Sequence, residues 1–190
     1  MEYVVFYREW LPLPKAEFNI LAMAAEQGGS FSGNLSDICR YLGVTPQTSN
    51  RNTQRTAMGG LSEKGFITHK SSGRTIFLEI IPKATEIRLP RLWVQSVINH
   101  DYSSESVAFT QVLKLFMWIA NNKRKIVTND EIARELGVST STVCSAKNVL
   151  EREYENITKR RISEKIGENF FVNLGQELQA SAWWTEIKKD

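Results

Sequence analysis

Between Gln47 and Arg55 the chain carries the side chains that recognise nucleobases: Gln47, Asn50, Arg51, Gln54 and Arg55. Arginine reads guanine through two parallel hydrogen bonds, and asparagine and glutamine do the same for adenine. Spacings of three and four residues keep several of them on one helical face. Thr48 and Ser49 add hydroxyls that suit phosphates or base edges. From Thr45 to Thr56 there is no aliphatic residue, so this face is not built to be core. The surrounding charge agrees. Between Arg40 and Arg74 stand Arg40, Arg51, Arg55, Lys64, Lys70 and Arg74, opposed only by Glu63, for a net +5. Such a patch is the electrostatic footprint that nucleic-acid binding requires.

Catalytic chemistry is poorly provided for. There is no glycine-rich phosphate loop and no nucleophile elbow, and the carboxylates are scattered. His69 and His100 are the only histidines, and with Cys39 and Cys144 they make no metal-ligand spacing. The expectation is a binding protein, not an enzyme, with no metal and no cofactor.

The polar stretch must be positioned by neighbouring elements, and a short pattern that occurs twice supplies them. The first copy runs Asn34-Leu-Ser-Asp-Ile-Cys-Arg-Tyr-Leu-Gly-Val-Thr45 and the second Thr128-Asn-Asp-Glu-Ile-Ala-Arg-Glu-Leu-Gly-Val-Ser139. Each has a capping residue, a short amphipathic helix, a Leu-Gly-Val break, and a hydroxyl that can cap a second helix. That grammar is helix-turn-helix, whose second helix commonly enters the DNA major groove. Asp37 and Glu131 complete capping boxes with Asn34 and Thr128. Gly43 makes the first turn and Val44 plugs it.

Around the first copy, Tyr3 to Leu11 reads as a strand or short helix ended by Pro12 and Pro14. Lys15 to Gln27 has helical spacing in Phe18, Ile20, Leu21, Met23, Ala24 and Ala25, and Gly28-Gly29 stops it. Thr45 to Lys64 is the second helix of the pair, with Pro46 in its first turn and a weak point at Gly59-Gly60. Phe66 to Lys70 and Thr75 to Ile81 are β-like, joined by the turn composition Ser71-Ser72-Gly73-Arg74. A hairpin directly after such a helix is a wing. Lys70, Ser72 and Arg74 are its candidate DNA contacts.

The order then repeats. Leu89 to Ile98 reads as a connecting helix and His100 to Ser104 as loop. Val107 to Ala120 is a strongly apolar helix whose width suggests burial on more than one side. Ser139 to Tyr154 is the second helix of the second pair, with Thr140, Ser141, Thr142, Ser145, Lys147 and Asn148 on the comparable surface. Ile157 to Ser163 and Asn169 to Leu174 make a second wing carrying Lys159, Arg160, Arg161 and Lys165, residues suited to phosphates or the minor groove. Gly175 to Lys188 reads as a terminal helix bearing Trp183 and Trp184. The turn valine precedes the strand isoleucine by 23 residues in the first copy and 19 in the second. The first recognition helix is therefore expected to be one turn longer.

A chain of 190 residues suits one or two small domains. No apolar run approaches the ~20 residues of a membrane span. Glu2, Arg8 and Glu9 do not fit a secretory signal. Two helix-borne cysteines fit a reducing compartment. The expectation is a cytoplasmic protein of the α+β class, mostly α. Residues 1–88 form a first domain, 89–104 a linker or connecting helix, and 105–190 a second domain.

Each half resembles the winged helix-turn-helix domains of bacterial transcription regulators. The resemblance rests on Leu42-Gly43-Val44-Thr45 followed by Leu61-Ser-Glu-Lys-Gly-Phe-Ile67, and on Glu131-Ile-Ala-Arg-Glu-Leu-Gly-Val-Ser139. The tandem arrangement is similar, by architecture alone, to plasmid replication initiators. It implies a three-helix core with a hairpin wing in each half and double-stranded DNA as partner, with a homodimer compatible and any effector unspecified. The leading expectation is a transcriptional regulator. The alternatives are a replication initiator of a plasmid or mobile element and, of another class, a winged-helix protein–protein scaffold.

Overall fold

The computed structural model describes residues 3–122 and 128–158. The expected second-wing contacts Lys159, Arg160, Arg161 and Lys165, and the terminal helix with Trp183 and Trp184, lie outside the described residues. The fold is α+β and mostly helical. It divides into two compact units, Val4–Glu86 and the described residues from Ile87 onward together with Tyr3.

The first unit opens with strand β1 (Tyr3–Tyr7) from Val4 onward and a 3-10 turn (Arg8–Trp10). Trp10 is fully buried and meets Phe6 and Tyr7 edge-on at 5.9 and 5.2 Å. Helix α1 (Lys15–Glu26) buries every residue from Glu17 to Ala25. Its apolar face packs on helix α3 (Thr48–Glu63) and on a three-stranded sheet. That sheet has the order β2-β4-β3, with β2 (Ser30–Gly33), β3 (Ile67–Ser72) and β4 (Thr75–Ile80) all antiparallel. Strand β2 was not legible in Ser30-Phe-Ser-Gly33, which is too short and too polar to show a period.

Helix α2 (Leu35–Tyr41) begins at Asn34, whose Oδ1 accepts from the Ser36 and Asp37 amides at 2.8 and 3.1 Å. The Asp37 carboxylate accepts from the Asn34 amide at 2.9 Å, closing the expected capping box. At its end Gly43 takes φ +66°, and the Gly43 and Val44 amides bond back to the Arg40 and Cys39 carbonyls. This pairing of bonds stops a helix with a left-handed glycine. Val44 does not plug the turn: 37% of it is exposed. Pro46 precedes the next helix instead of starting it, because Gln47 is extended and serves as its N-cap.

Helix α3 runs unbroken through Gly59-Gly60. A Cβ at Gly60 would come within 2.7 Å of the Glu17 carboxylate, so glycine there permits close packing of α1 on α3. Glu17, nearly buried, pairs with Lys64 at 2.7 Å. Gly65 (φ +69°) then ends α3 and the hairpin follows. Its two-residue turn is Gly73-Arg74, with Ser72 opposite Thr75.

The second unit contains β5 (Glu86–Pro90) from Ile87 onward and helices α4 (Arg91–Asn99), α5 (Phe109–Asn121), α6 (Asn129–Leu136) and α7 (Thr140–Thr158). Helix α4 falls within the expected linker, yet it belongs to the core. Trp93 is fully buried, with its ring 5.4 Å from Phe116 and 5.5 Å from Tyr154. The apolar width of α5 is accounted for within the unit, since α4 and α7 both pack against it. Thr128 caps α6 in a box with Glu131, as expected. Gly137 (φ +65°) and Val138 repeat the turn of the first pair, with amides bonded to the Arg134 and Ala133 carbonyls.

One expectation about length is reversed. Helix α7 spans 19 residues and α3 16. Ile157, expected to open a strand, lies in the last turn of α7. The first copy stops its helix with Gly65. At the corresponding place the second has Tyr154-Glu-Asn-Ile157, which holds no residue that breaks a helix.

Candidate nucleic-acid interface

The groove of the first unit is built by three elements that the turns bring together: the start of α2, one face of α3, and the inner face of the hairpin tip. Helical spacing puts Thr48, Arg51, Asn52 and Arg55 on the α3 wall. Strand alternation puts His69 and Ser71 of β3 on the facing wall, and Arg74 stands at the turn. Arg40 closes the α2 side. Four arginines therefore line one depression, and no lining residue is acidic. Its volume of 1080 Å³ and its open side exceed the ~300–1,000 Å³ clefts typical of small-molecule sites.

The electrostatics are one-sided. Arg40 pairs with Asp37 at 2.8 Å, a bond that orients it on the helix surface. Arg55 donates to the Asn52 side chain at 2.7 Å, which holds both polar groups toward the groove. Burial pushes the Cys39 thiol up, and the Arg51 guanidinium acts in the opposite sense.

The expected contacts of the first unit divide into four groups. Arg51, Arg55, Thr48 and Arg74 line the groove. Gln47 is exposed at the N-cap of α3, whereas Asn50 serves the local backbone. Its Nδ2 donates to the Thr45 carbonyl at 2.8 Å and holds the entry to α3. Lys70 and Ser72 are exposed on the opposite face of the hairpin. Gln54 departs from the expectation outright. It is 6% exposed, in register with Ala57, Met58 and Leu61 on the buried face of α3. Residue i+3 and residue i+4 share a face, and two buried ones draw Gln54 inward. Asn52, His69 and Ser71 were missed as site residues, and Arg40 was read only as part of the basic patch. Period two from Ile67 would have put His69 and Ser71 on one face, and the spacings of four from Thr48 and three to Arg55 would have added Asn52.

The second pair presents different chemistry. Ser139 Oγ accepts from the Thr142 amide at 3.1 Å and caps α7. Thr140 donates to Asp130 at 2.6 Å, Ser141 shares a hydrogen bond with Ser139, and Ser145 accepts from Ser106 at 2.8 Å. Lys147 is half-buried and Asn148 exposed. Ser145 and Asn148 border a shallow depression together with Glu105, Glu151, Glu155 and Arg152. Carboxylates outnumber the single cation there, which disfavours phosphate. Glu105 is held below the usual carboxylate range, first by its hydrogen bond from Arg152 and also by His100.

Among the described residues no group of three or more His, Cys, Asp or Glu could hold a metal ion, and no helix is long and apolar enough to cross a membrane. No protein-family model, curated protein or solved structure matches this chain.

Proposed function

We propose that the first unit is a winged helix-turn-helix domain that binds double-stranded DNA, with α3 in the major groove and the β3–β4 hairpin as its wing. The observation that carries this is the groove lined by Arg40, Arg51, Arg55 and Arg74 and by no acidic residue. A duplex seated against α3 and the hairpin would meet all four cations. A B-DNA major groove, about 12 Å wide, admits a helix of α3's kind. Arg51 and Arg55 then reach base edges, and Arg40 and Arg74 hold phosphates.

The second unit, in this reading, is a second winged helix-turn-helix built on the same capping box and glycine turn, with α7 less suited to DNA. The role we propose is transcriptional regulation in the cytoplasm. Selection of bound duplexes separates it from replication initiation: one palindrome fits a regulator, tandem repeats an initiator.

Salt dependence tests the binding itself. With about four phosphate contacts, Arg40 and Arg74 among them, log affinity falls against log salt with a slope of roughly −3.6. A flat dependence, or duplex affinity unchanged by Arg51→Ala and Arg55→Ala together, overturns the reading.

A further inference from the structure

The outer face of the same sheet carries a different feature. Strand β4 is the middle strand, and its residues alternate strictly: Ile76 and Leu78 are buried at 6% and 2%, and Phe77 between them is 49% exposed. The pleat sends the Phe77 ring away from α1 and away from the arginine groove. Ser32 of β2 is its partner on one side and Lys70 of β3 on the other. Both partners are exposed. A serine is too short to cover the ring, and a lysine places a cation beside it.

A lone exposed aromatic is ordinary by itself. Here it sits at the centre of a three-stranded face, flanked by a hydroxyl and a cation, and two further hydroxyls, Ser72 and Thr75, continue the face toward the tip. Arg74 follows in the turn. Glu79, paired with Thr68, bounds the face at the other end. The positive end is therefore the tip.

We infer that Phe77 is a stacking platform for an unpaired base of single-stranded DNA, with Lys70 neutralising the adjoining phosphate. Aromatic rings on an open sheet face stack bases without regard to sequence, and neighbouring cations follow the backbone. Duplex DNA offers no exposed base face to such a ring, so this site and the groove on the other face take different forms of the same polymer. The inference goes beyond the duplex reading and does not require it.

The test uses the full chain and a fluorescently labelled 20-nucleotide oligothymidylate, with a duplex of equal length and an abasic chain of equal charge as controls. Phe77→Ala and Phe77→Thr, the latter keeping a strong strand former, weaken oligothymidylate binding about tenfold, whereas Phe77→Trp retains it. Neither weakening substitution changes duplex affinity. Lys70→Ala weakens oligothymidylate and abasic chain alike. The inference is overturned if the abasic chain binds wild type as well as oligothymidylate does, if Phe77→Thr binds oligothymidylate as wild type does, or if Phe77 substitutions weaken duplex and single strand equally. Failure of the duplex reading is seen separately, as duplex affinity indifferent to Arg51→Ala and Arg55→Ala.

Discussion

In the first helix pair the Gly43 turn leads into a helix whose open face carries Arg51 and Arg55; in the second the Gly137 turn leads into one bordered by Glu151 and Glu155. The backbone devices are the same. Each pair has a capping box at its start, and each turn bonds a glycine and a valine amide back to the preceding helix. What differs is how the side chains after the turn are employed. In α3 the arginines are left facing a groove, whereas in α7 Thr140, Ser141 and Ser145 are engaged by Asp130, Ser139 and Ser106. A shared local grammar therefore specifies geometry, and the charge and engagement of the face specify use.

The largest expected effect tests whether α4 separates the units or belongs to one. Trp93→Ala removes a fully buried indole from between Phe116 and Tyr154 and costs about 3–5 kcal/mol, enough to unfold the second unit of a marginally stable chain. Denaturant melts followed by circular dichroism measure it. A variant as stable as wild type would return α4 to the status of a linker.

Next comes the comparison of faces. Arg51→Ala or Arg55→Ala costs about 1–3 kcal/mol of affinity for a cognate duplex and relaxes preference at one base pair. Arg74→Ala weakens cognate and scrambled duplexes by similar factors and lowers the salt slope by about one unit. Asn148→Ala or Lys147→Ala in α7 changes either affinity by less than about threefold, an effect of under ~0.7 kcal/mol. Competition titrations give all of these numbers. Equal losses from both helices would make the acidic border of α7 irrelevant and restore two equivalent DNA-reading units.

Much of this contrast was legible in the sequence, for identifiable reasons. The caps at Asn34 and Thr128, the glycine turns and the hairpin around Gly73 are local features, set by residues within four positions of one another. Arg51 and Arg55 were legible because an unpaired charge is costly to bury and the stretch around them holds no aliphatic residue. What escaped depends on distant residues. Gln54 is turned inward by the packing of α3 on α1, and the Asn50 side-chain amide is taken up by the Thr45 carbonyl. Helix α4 looked like a connector because only Trp93, Val94 and Val97 mark its buried face, and Pro90 before it resembles a boundary. The engagement of α7 rests on Asp130 and Ser106, ten and 39 residues from their partners. No spacing rule reaches that far.

Alkali should distinguish the units more modestly. Tyr102 donates to the Val97 carbonyl at 2.7 Å; burial, and after it the Glu153 and Glu105 charges, raises its pKa. An unfolded tyrosine loses its proton near pH 10, while the folded Tyr102 keeps it. The unfolded state then binds fewer protons, so stability present below about pH 10 declines as the pH rises beyond it. Tyr7 in the first unit is also raised, by burial, then Glu86 and Glu9. Tyr102→Phe should flatten the alkaline loss in the second unit more than Tyr7→Phe does in the first. Stability measured between about pH 8 and 11 decides this, and identical slopes for wild type and Tyr102→Phe would remove Tyr102 as the cause.

The smallest expected effect concerns the residue of α3 that is polar in composition and buried in fact. Gln54 Oε1 is enclosed without a hydrogen-bond partner, on the face shared with Ala57, Met58 and Leu61. A buried acceptor left unpaired costs about 1–3 kcal/mol relative to a paired one, and an apolar group of similar shape avoids that cost. Methionine matches glutamine in length and helix propensity. Gln54→Met should therefore leave stability unchanged or raise it by about 1 kcal/mol, with duplex affinity unaltered. Gln54→Ala would instead leave a cavity beside Met58 and lower stability without touching the groove. Thermal melts and duplex titrations on the same preparations read both quantities. If Gln54→Met lost duplex affinity severalfold at undiminished stability, the side chain would have to leave the core and reach the DNA on binding. The division between an inward face at Gln54 and a reading face at Arg51 and Arg55 would then describe only the free protein.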